Sequence, residues 1–218
     1  MTNPLAPLTA TEIEKAVEIF RREHGDERAV FCSSGLDEPA KADVKAGRAV
    51  PRIVKFLGTD SVPDGGFEAY VNLAEDKVER LIRLGNDAQA PYGYYDLGVA
   101  VQLTKGNAEW LSAVKARGIA CDTEEDIERI QIDPWPAGGY AVDEIPVGHR
   151  AVRCIAFVRD DKTDNGYARP IHGLICHVDV TAGQVVRVED SGVIPMPPNP
   201  GRFDPAHPER MRSDLKDL

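Results

Sequence analysis

The sequence predicts an α+β protein with two domains, each a helix packed on an antiparallel four-stranded sheet, followed by an extended C-terminal arm. Two observations lead to this fold class. A helical segment followed by four strand-like segments occurs twice, with residues 85–93, rich in Gly, Asn, Asp and Pro, between the copies. Prolines recur after residue 190, where they cannot continue a β-ladder. The predicted domains are residues 1–88 and 93–190, and the arm is residues 191–218.

The first domain begins with a helix. Thr9 and Glu12 have the spacing of a capping box, and Gly25 is expected to end the helix. Apolar residues follow the cap at helical spacing: Ile13, Ala16, Val17 and Phe20. Strands are predicted over residues 29–36, 52–58, 67–73 and 78–84, with a short helical turn over 41–48.

In the second domain, helices are predicted over residues 96–103 and 107–117, the latter with Trp110, Leu111 and Val114 inward. Strands are predicted over residues 127–133, 152–159, 167–180 and 184–190. The prediction leaves Trp135, between Pro134 and Pro136, on a stiffened loop.

Strict alternation assigns side chains to faces in the last strand of each domain. In the first domain it places Leu81 on one face and four residues on the other: Val78, Arg80, Ile82 and Leu84. In the second domain it places Val186 and Val188 together, opposite a second set: Val185, Arg187 and Glu189.

Two stretches point to a family. The first is residues 159–198, in which two strand-like segments, the turns between them and a proline-rich tail follow in order, and the second is DPWPAGGY at residues 133–140. Together they resemble the amino-terminal (N2/N3-type) domains of copper-containing primary amine oxidases. Fainter likeness runs from NPLAPLTATEIEKAVEIF at residues 3–20 to RSDLK at residues 212–216. The resemblance implies that both domains are cystatin-like. It also implies that the family's large catalytic domain lies outside these 218 residues.

The resemblance implies a function. Enzymes of this family deaminate primary amines oxidatively to aldehydes, releasing ammonia and hydrogen peroxide. The chain is expected to be a non-catalytic amino-terminal portion with a structural or substrate-entrance role. Its expected partner is the catalytic domain, in cis or as a separate chain, with a homodimer in that context. The alternative is a stand-alone cystatin-like binding or accessory module with no role in amine oxidation.

No catalytic, cofactor-binding or metal-binding residue is predicted in the chain, which is expected to be inactive by itself. The family makes topaquinone from a tyrosine in an Asn-Tyr-Asp/Glu motif, and this sequence has no Asn-Tyr pair. The family binds copper through a His-x-His pair and a distant histidine, and that pattern is also missing from the sequence. Copper and topaquinone are therefore implied only for the catalytic domain. Residues 160–165 are interpreted as a solvated acidic turn, with Asp160 or Asp164 pairing with Arg159 or Arg169.

Candidate residues for docking on another domain are large apolar groups near prolines: Trp135, Val193, Ile194, Met196 and Phe203. Buried aromatic side chains dominate interface energetics, which favours docking for Trp135. The open alternatives are that Trp135 plugs the core of the second domain and that the arm folds back onto that domain.

Composition excludes other classes of partner. The net charge of −10 disfavours nucleic acid, and no apolar run approaches the length of a membrane span. The start of the chain lacks the pattern of a secretion signal, so a cytoplasmic location is expected. The four cysteines form no C-x-x-C pair and are expected to be buried free thiols: Cys32, Cys121, Cys154 and Cys176.

Overall fold

The computed structural model describes residues 3–24, 27–60, 66–85, 88–161 and 164–198. The chain forms two compact units, Met1–Tyr95 and Asp96–Leu218. The fold is α+β, with two antiparallel four-stranded sheets in the strand orders β1-β2-β3-β4 and β5-β6-β7-β8. This confirms the predicted fold class. Within the described ranges, no helix is long and apolar enough to cross a membrane.

The described residues of the first unit form two α-helices and four strands: α1 (Ala10–His24), β1 (Val30–Leu36), α2 (Lys41–Lys45), β2 (Ile53–Thr59), β3 (Gly66–Asn72) and β4 (Lys77–Arg83). The predicted capping box is present, because the Thr9 amide donates to Glu12 Oε2 at 2.8 Å and the Glu12 amide donates to Thr9 Oγ1 at 3.3 Å. Gly25, expected to end α1, lies outside the described residues.

The core of the first unit lies between α1 and one face of the sheet. The Phe20 ring stacks on the Phe67 ring at a centroid distance of 4.8 Å. The other buried members of this cluster are aliphatic or aromatic: Ala16, Ile19, Ala29, Val54, Phe56, Ala69 and Val71. Full burial of each large side chain stabilises the fold by about 1.5–3 kcal/mol.

A β-bulge changes the predicted faces of β4. Tyr70 lies opposite Arg80, but the next residue, Val71, lies opposite Val78, so the register shifts by one residue. Leu81 lies opposite Ala69 and therefore shares the core face with Val78. The prediction that Leu81 and Val78 face opposite ways is wrong, because a bulge breaks the period of two.

The second sheet has the same irregularity. His177 lies opposite Arg187 and Val178 lies opposite Val185, with the register shift between them. Val188 lies opposite Cys176, so Val185 and Val188 share a face. The prediction that Val186 and Val188 lie together, with Val185 on the other face, is wrong for the same reason.

After β4, the described part of the chain forms three α-helices and four strands: α3 (Tyr94–Gly106), α4 (Ala108–Ala116), α5 (Glu124–Glu128), β5 (Ile130–Pro136), β6 (Ala151–Val158), β7 (Leu174–Asp179) and β8 (Gln184–Asp190). Residues 127–133 are not all strand, because Thr123 and Asp126 form a capping box that starts α5. Tyr167 belongs to a short 3-10 turn, Gly166–Ala168, and not to the strand predicted over 167–180. The largest fully buried side chains here are Trp110, Val114, Ile130, Val152, Leu174 and Val178.

The ion pair between Glu12 and Arg52 predicts an acid-sensitive step in stability. Arg52 also donates to the Ala6 and Pro7 carbonyls at 3.0 and 2.9 Å, and its hydrogen bond lowers the pKa of Glu12 from 4.5 to about 2. A depressed carboxyl pKa contributes stability that is complete above the unfolded pKa and is lost as the pH falls through the folded pKa. We expect Glu12→Gln to lower the free energy of unfolding at pH 7 by roughly 1 kcal/mol.

The difference between wild type and Glu12→Gln should shrink between pH 4.5 and about 2, as measured by thermal unfolding. Glu14→Gln, an exposed position on the same helix, is the control. A difference that stays constant over this pH range would contradict the assignment.

Candidate functional site

Trp135 lies within β5 and not on a loop, which corrects the sequence interpretation. β5 is an edge strand, and in its pairing with β6 Trp135 lies opposite Arg153. An edge strand tolerates Pro134 and Pro136 because one side of its backbone needs no ladder partner. Trp135 is 60% exposed, so it does not plug the core of the second unit, where Trp110 is completely buried.

A row of four side chains crosses the second sheet on the Trp135 face. Trp135 lies opposite Arg153, Arg153 lies opposite His177, and His177 lies opposite Arg187. The short turn Gly138–Tyr140 follows β5, and the Tyr140 ring lies 5.7 Å from the Arg153 guanidinium carbon. This distance is within cation–π range.

Two members of the row are paired with carboxylates. His177 Nε2 lies 3.1 Å from Glu189 Oε2, and Arg187 Nε donates to Glu144 Oε1 at 2.9 Å. The Arg187 guanidinium holds the pKa of Glu144 below its usual value. The other two members of the row, Trp135 and Arg153, together with Tyr140 beside Arg153, are named here the Trp-Arg-Tyr patch.

The arm leaves the opposite edge of the same sheet, because it follows β8. Val193 and Ile194 are 60% and 47% exposed, and Met196 is half-buried. Four strands separate the two edges by roughly 14 Å. The structure therefore does not bring Trp135 and the beginning of the arm into one patch. Phe203 lies outside the described residues.

Arg117 holds the beginning of the arm. Its side chain, at the end of α4, is 4% exposed and donates to Asp190 Oδ1 at 2.5 Å and to the Gly192 carbonyl at 2.8 Å. It also donates to the Gly173 carbonyl at 3.3 Å, and the Ser191 amide donates to that carbonyl at 2.8 Å. The hydrogen bond from Arg117 holds the pKa of Asp190 below its usual value. The first arm residues are thus tied to the second unit.

The described residues do not fit a copper site. Within them, no three His, Cys, Asp or Glu side chains come together to hold a metal ion. Two histidines of the second unit are engaged with carboxylates, since His149 Nδ1 lies 2.7 Å from Asp179 Oδ2 and His177 contacts Glu189. No step of amine oxidation is therefore assigned to these residues.

The cysteines are free thiols, as predicted, although Cys32 is only partly buried. Cys154 of β6 lies opposite Cys176 of β7. Burial raises the pKa of Cys154 to about 12 and also raises the pKa of Cys176. Thiols that stay protonated are poor nucleophiles, and both side chains are buried in the core of the second unit.

The acidic turn forms one of the expected ion pairs, between Asp160 and Arg169. The Asp160 amide also donates to Asp164 Oδ2 at 3.0 Å, which closes the turn on itself. Lys162, between them, lies outside the described residues.

Sequence reasoning missed three contributors to this region: Arg117, Tyr140 and Arg153. Alternation along β6 places Arg153 on the face opposite Val152, so this signal was available. Arg117 had no signal, because the acceptors that surround it come from α4, β8 and the turn at Gly173.

Comparison with known proteins identifies the relatives. The chain is 32% identical over 219 residues to a primary amine oxidase from Arthrobacter sp. (strain P1), covering 100% of this chain and 33% of the relative. It is 29% identical to a histamine oxidase from Arthrobacter globiformis, over 98% of this chain and 31% of the relative. It is 30% identical to a copper-containing amine oxidase, gamma 2, from Arabidopsis thaliana, over 91% of this chain and 28% of the relative. This chain resembles the amino-terminal part of copper amine oxidases.

A crystal structure of a copper-containing benzylamine oxidase from Hansenula polymorpha shares the fold, with a TM-score of 0.69 and 13% identity. The match covers 88% of this chain and 32% of that chain. No family model matches the sequence. The chain spans about a third of the length of the curated relatives it matches, so in those larger amine oxidases this region is one part of the polypeptide.

The contacts of Arg117 predict that it stabilises the second unit. Arg117→Met should lower the melting temperature by several degrees, because Asp190 and the Gly173 and Gly192 carbonyls lose a donor that is buried from water. Arg129→Gln is the matched control, because Arg129 forms an exposed ion pair with Glu125 on α5. Equal melting temperatures for the two variants would show that the clamp does not stabilise the fold.

Proposed function

We propose that this chain is a non-catalytic amino-terminal portion of a copper/topaquinone primary amine oxidase. The observation that carries the proposal is the alignment of the whole chain with 33% of a primary amine oxidase at 32% identity. In this proposal the polypeptide that follows in the relatives supplies copper, the quinone and the oxidation of a primary amine to an aldehyde. This region supplies structure and a surface near the substrate entrance.

The Trp-Arg-Tyr patch supports the docking role. Trp135 and Tyr140 are 60% and 76% exposed and both lie next to Arg153, and adjoining exposed apolar side chains often mark an interaction site. Aromatic residues and arginine are enriched in the centres of protein interfaces. Val193 and Ile194 provide a second exposed apolar contact at the other edge of the sheet.

The relatives do not agree on a substrate. Their names refer to methylamine, histamine and N-methylputrescine. The proposal therefore extends to primary amines as a class and not to one amine. We further propose that the assembled enzyme is cytoplasmic.

The first test measures activity of the purified chain. We expect no hydrogen peroxide from benzylamine or methylamine after incubation with Cu²⁺, and no stoichiometric copper retained after dialysis. The physical reason is that the sequence has neither an Asn-Tyr pair nor a His-x-His pair. Peroxide production accompanied by a quinone absorbance would contradict the proposal.

The second test measures binding to the catalytic polypeptide of the source organism, recognised by its Asn-Tyr-Asp/Glu and His-x-His motifs and expressed separately. We expect Trp135→Ala to weaken binding at least about tenfold while leaving the melting temperature unchanged, because the side chain is exposed and near the centre of the proposed contact. Val147→Ala, at a position 87% exposed in the same unit, is the control. A wild-type chain that does not bind would favour a stand-alone module instead.

A further inference from the structure

We propose that Arg153 forms an ion pair with a carboxylate of the catalytic portion of the amine oxidase, as the central charged contact of the docking surface. This inference rests on the proposed function and adds the chemistry of the partner. The structure points to it because Arg153 is an arginine without a counter-ion, flanked by two exposed aromatic side chains.

Arg153 differs from the other described arginines of the second unit. Each of the others donates to a carboxylate or to a backbone carbonyl: Arg117 to Asp190, Arg129 to Glu125, Arg150 to Asp96, Arg159 to the Glu128 carbonyl, Arg169 to Asp160 and Arg187 to Glu144. Among the described residues, the guanidinium of Arg153 contacts the Tyr140 ring and no carboxylate. Its Nε is buried without a hydrogen-bond partner. The Nε atoms of Arg117 and Arg169 are also buried and unpaired, but an aspartate binds the terminal nitrogens of both.

The carboxylates of the same face are already engaged. Asp133 accepts from Gln131 Nε2 at 3.0 Å and is hydrogen-bonded by Tyr167. Glu144 is bound to Arg187, and Glu189 is bound to His177. Among the described residues of this face, no carboxylate is therefore available to neutralise Arg153, although the net charge of the whole chain is −10. An ion pair with Arg153 would therefore need a carboxylate from outside this face.

Arg153 is prepared for such a contact. Its backbone lies in a central strand, between β5 and β7, and Tyr140 holds the guanidinium by a cation–π contact. The Nε atom is already out of contact with water, so part of the desolvation cost is met in the unbound chain. Trp135 beside it can exclude water from the ion pair, as the ring of contacts around an interface hot spot does.

The partner proposed to bind the Trp-Arg-Tyr patch is the part of an amine oxidase that the relatives have in addition to this region. Those relatives carry this region as 33% of a longer polypeptide, so a large surface is present in cis to receive the sheet. A carboxylate set among apolar side chains would match both the charge of Arg153 and the rings of Trp135 and Tyr140.

Binding of Arg153 variants to the separately expressed catalytic polypeptide of the source organism tests the inference. Calorimetric titration at 50 and 300 mM NaCl should show that Arg153→Met binds at least about tenfold more weakly than wild type and with a smaller salt dependence. Arg153→Lys should recover part of the affinity, because it keeps the charge and loses the planar fork. Arg129→Gln, which removes an exposed arginine of the same unit, should bind within about twofold of wild type.

Stability provides the second readout. Arg153→Met keeps the aliphatic stem and removes a buried donor that has no acceptor, so the free variant should melt at or above the wild-type temperature. A melting temperature lower by more than about 5 °C would show that Arg153 stabilises its own domain and would contradict the inference.

The outcomes separate the two proposals. If the wild-type chain does not bind the catalytic polypeptide, the proposed function is wrong and the ion pair is wrong with it. If wild type binds and Arg153→Met binds equally well, or if Arg129→Gln weakens binding as much, only the ion pair is wrong. Selective loss with Arg153→Met and partial recovery with Arg153→Lys would support it.

Discussion

Each sheet has one face that must be covered by apolar side chains, and this constraint organises the rest of each unit. In the first unit α1 supplies the cover, with Phe20 stacked on Phe67 at 4.8 Å. In the second unit, Trp110 and Val114 of α4 are completely buried, as are Leu174 and Val178 of β7. A single sheet cannot bury apolar surface on both faces without a further layer. In the second unit the face away from the helices carries polar side chains such as Arg153 and His177, together with a small buried cluster of Ala137, Ile145 and Ala151.

Most of the fold follows from patterns within the sequence. Helical spacing between Ile13 and Phe20, with a capping box before it, predicts α1, and the structure has that helix and that cap. Alternation predicts the strands because a half-buried strand needs a period of two. The bulges beside Tyr70 and His177 were not predictable in this way. A bulge adds one residue to a strand and shifts the pairing partners, but these residue types alone do not indicate where it occurs.

The position of Trp135 was missed for a different reason. Two prolines argue against a central strand, and the sequence does not state which strand will be at the edge. The structure places the edge at β5, where the prolines are tolerated and the indole is exposed. The short helix α5 did have a signal, the capping box of Thr123 and Asp126, which outweighs the strand-like appearance of Ile127.

Arg117 and Arg153 differ in pairing, and this difference is the basis for the proposed role of Arg153. Arg117 is 4% exposed and its terminal nitrogens reach Asp190 and three backbone carbonyls, so its charge is satisfied inside the second unit. Arg153 has an aromatic ring and no described counter-ion. A charged group that is partly withdrawn from water without a partner is a local cost. Natural proteins retain such costs mainly at sites where another molecule offsets them. On this reasoning the Arg153 guanidinium, which has no counter-ion among the described residues, marks the proposed binding surface of the unit.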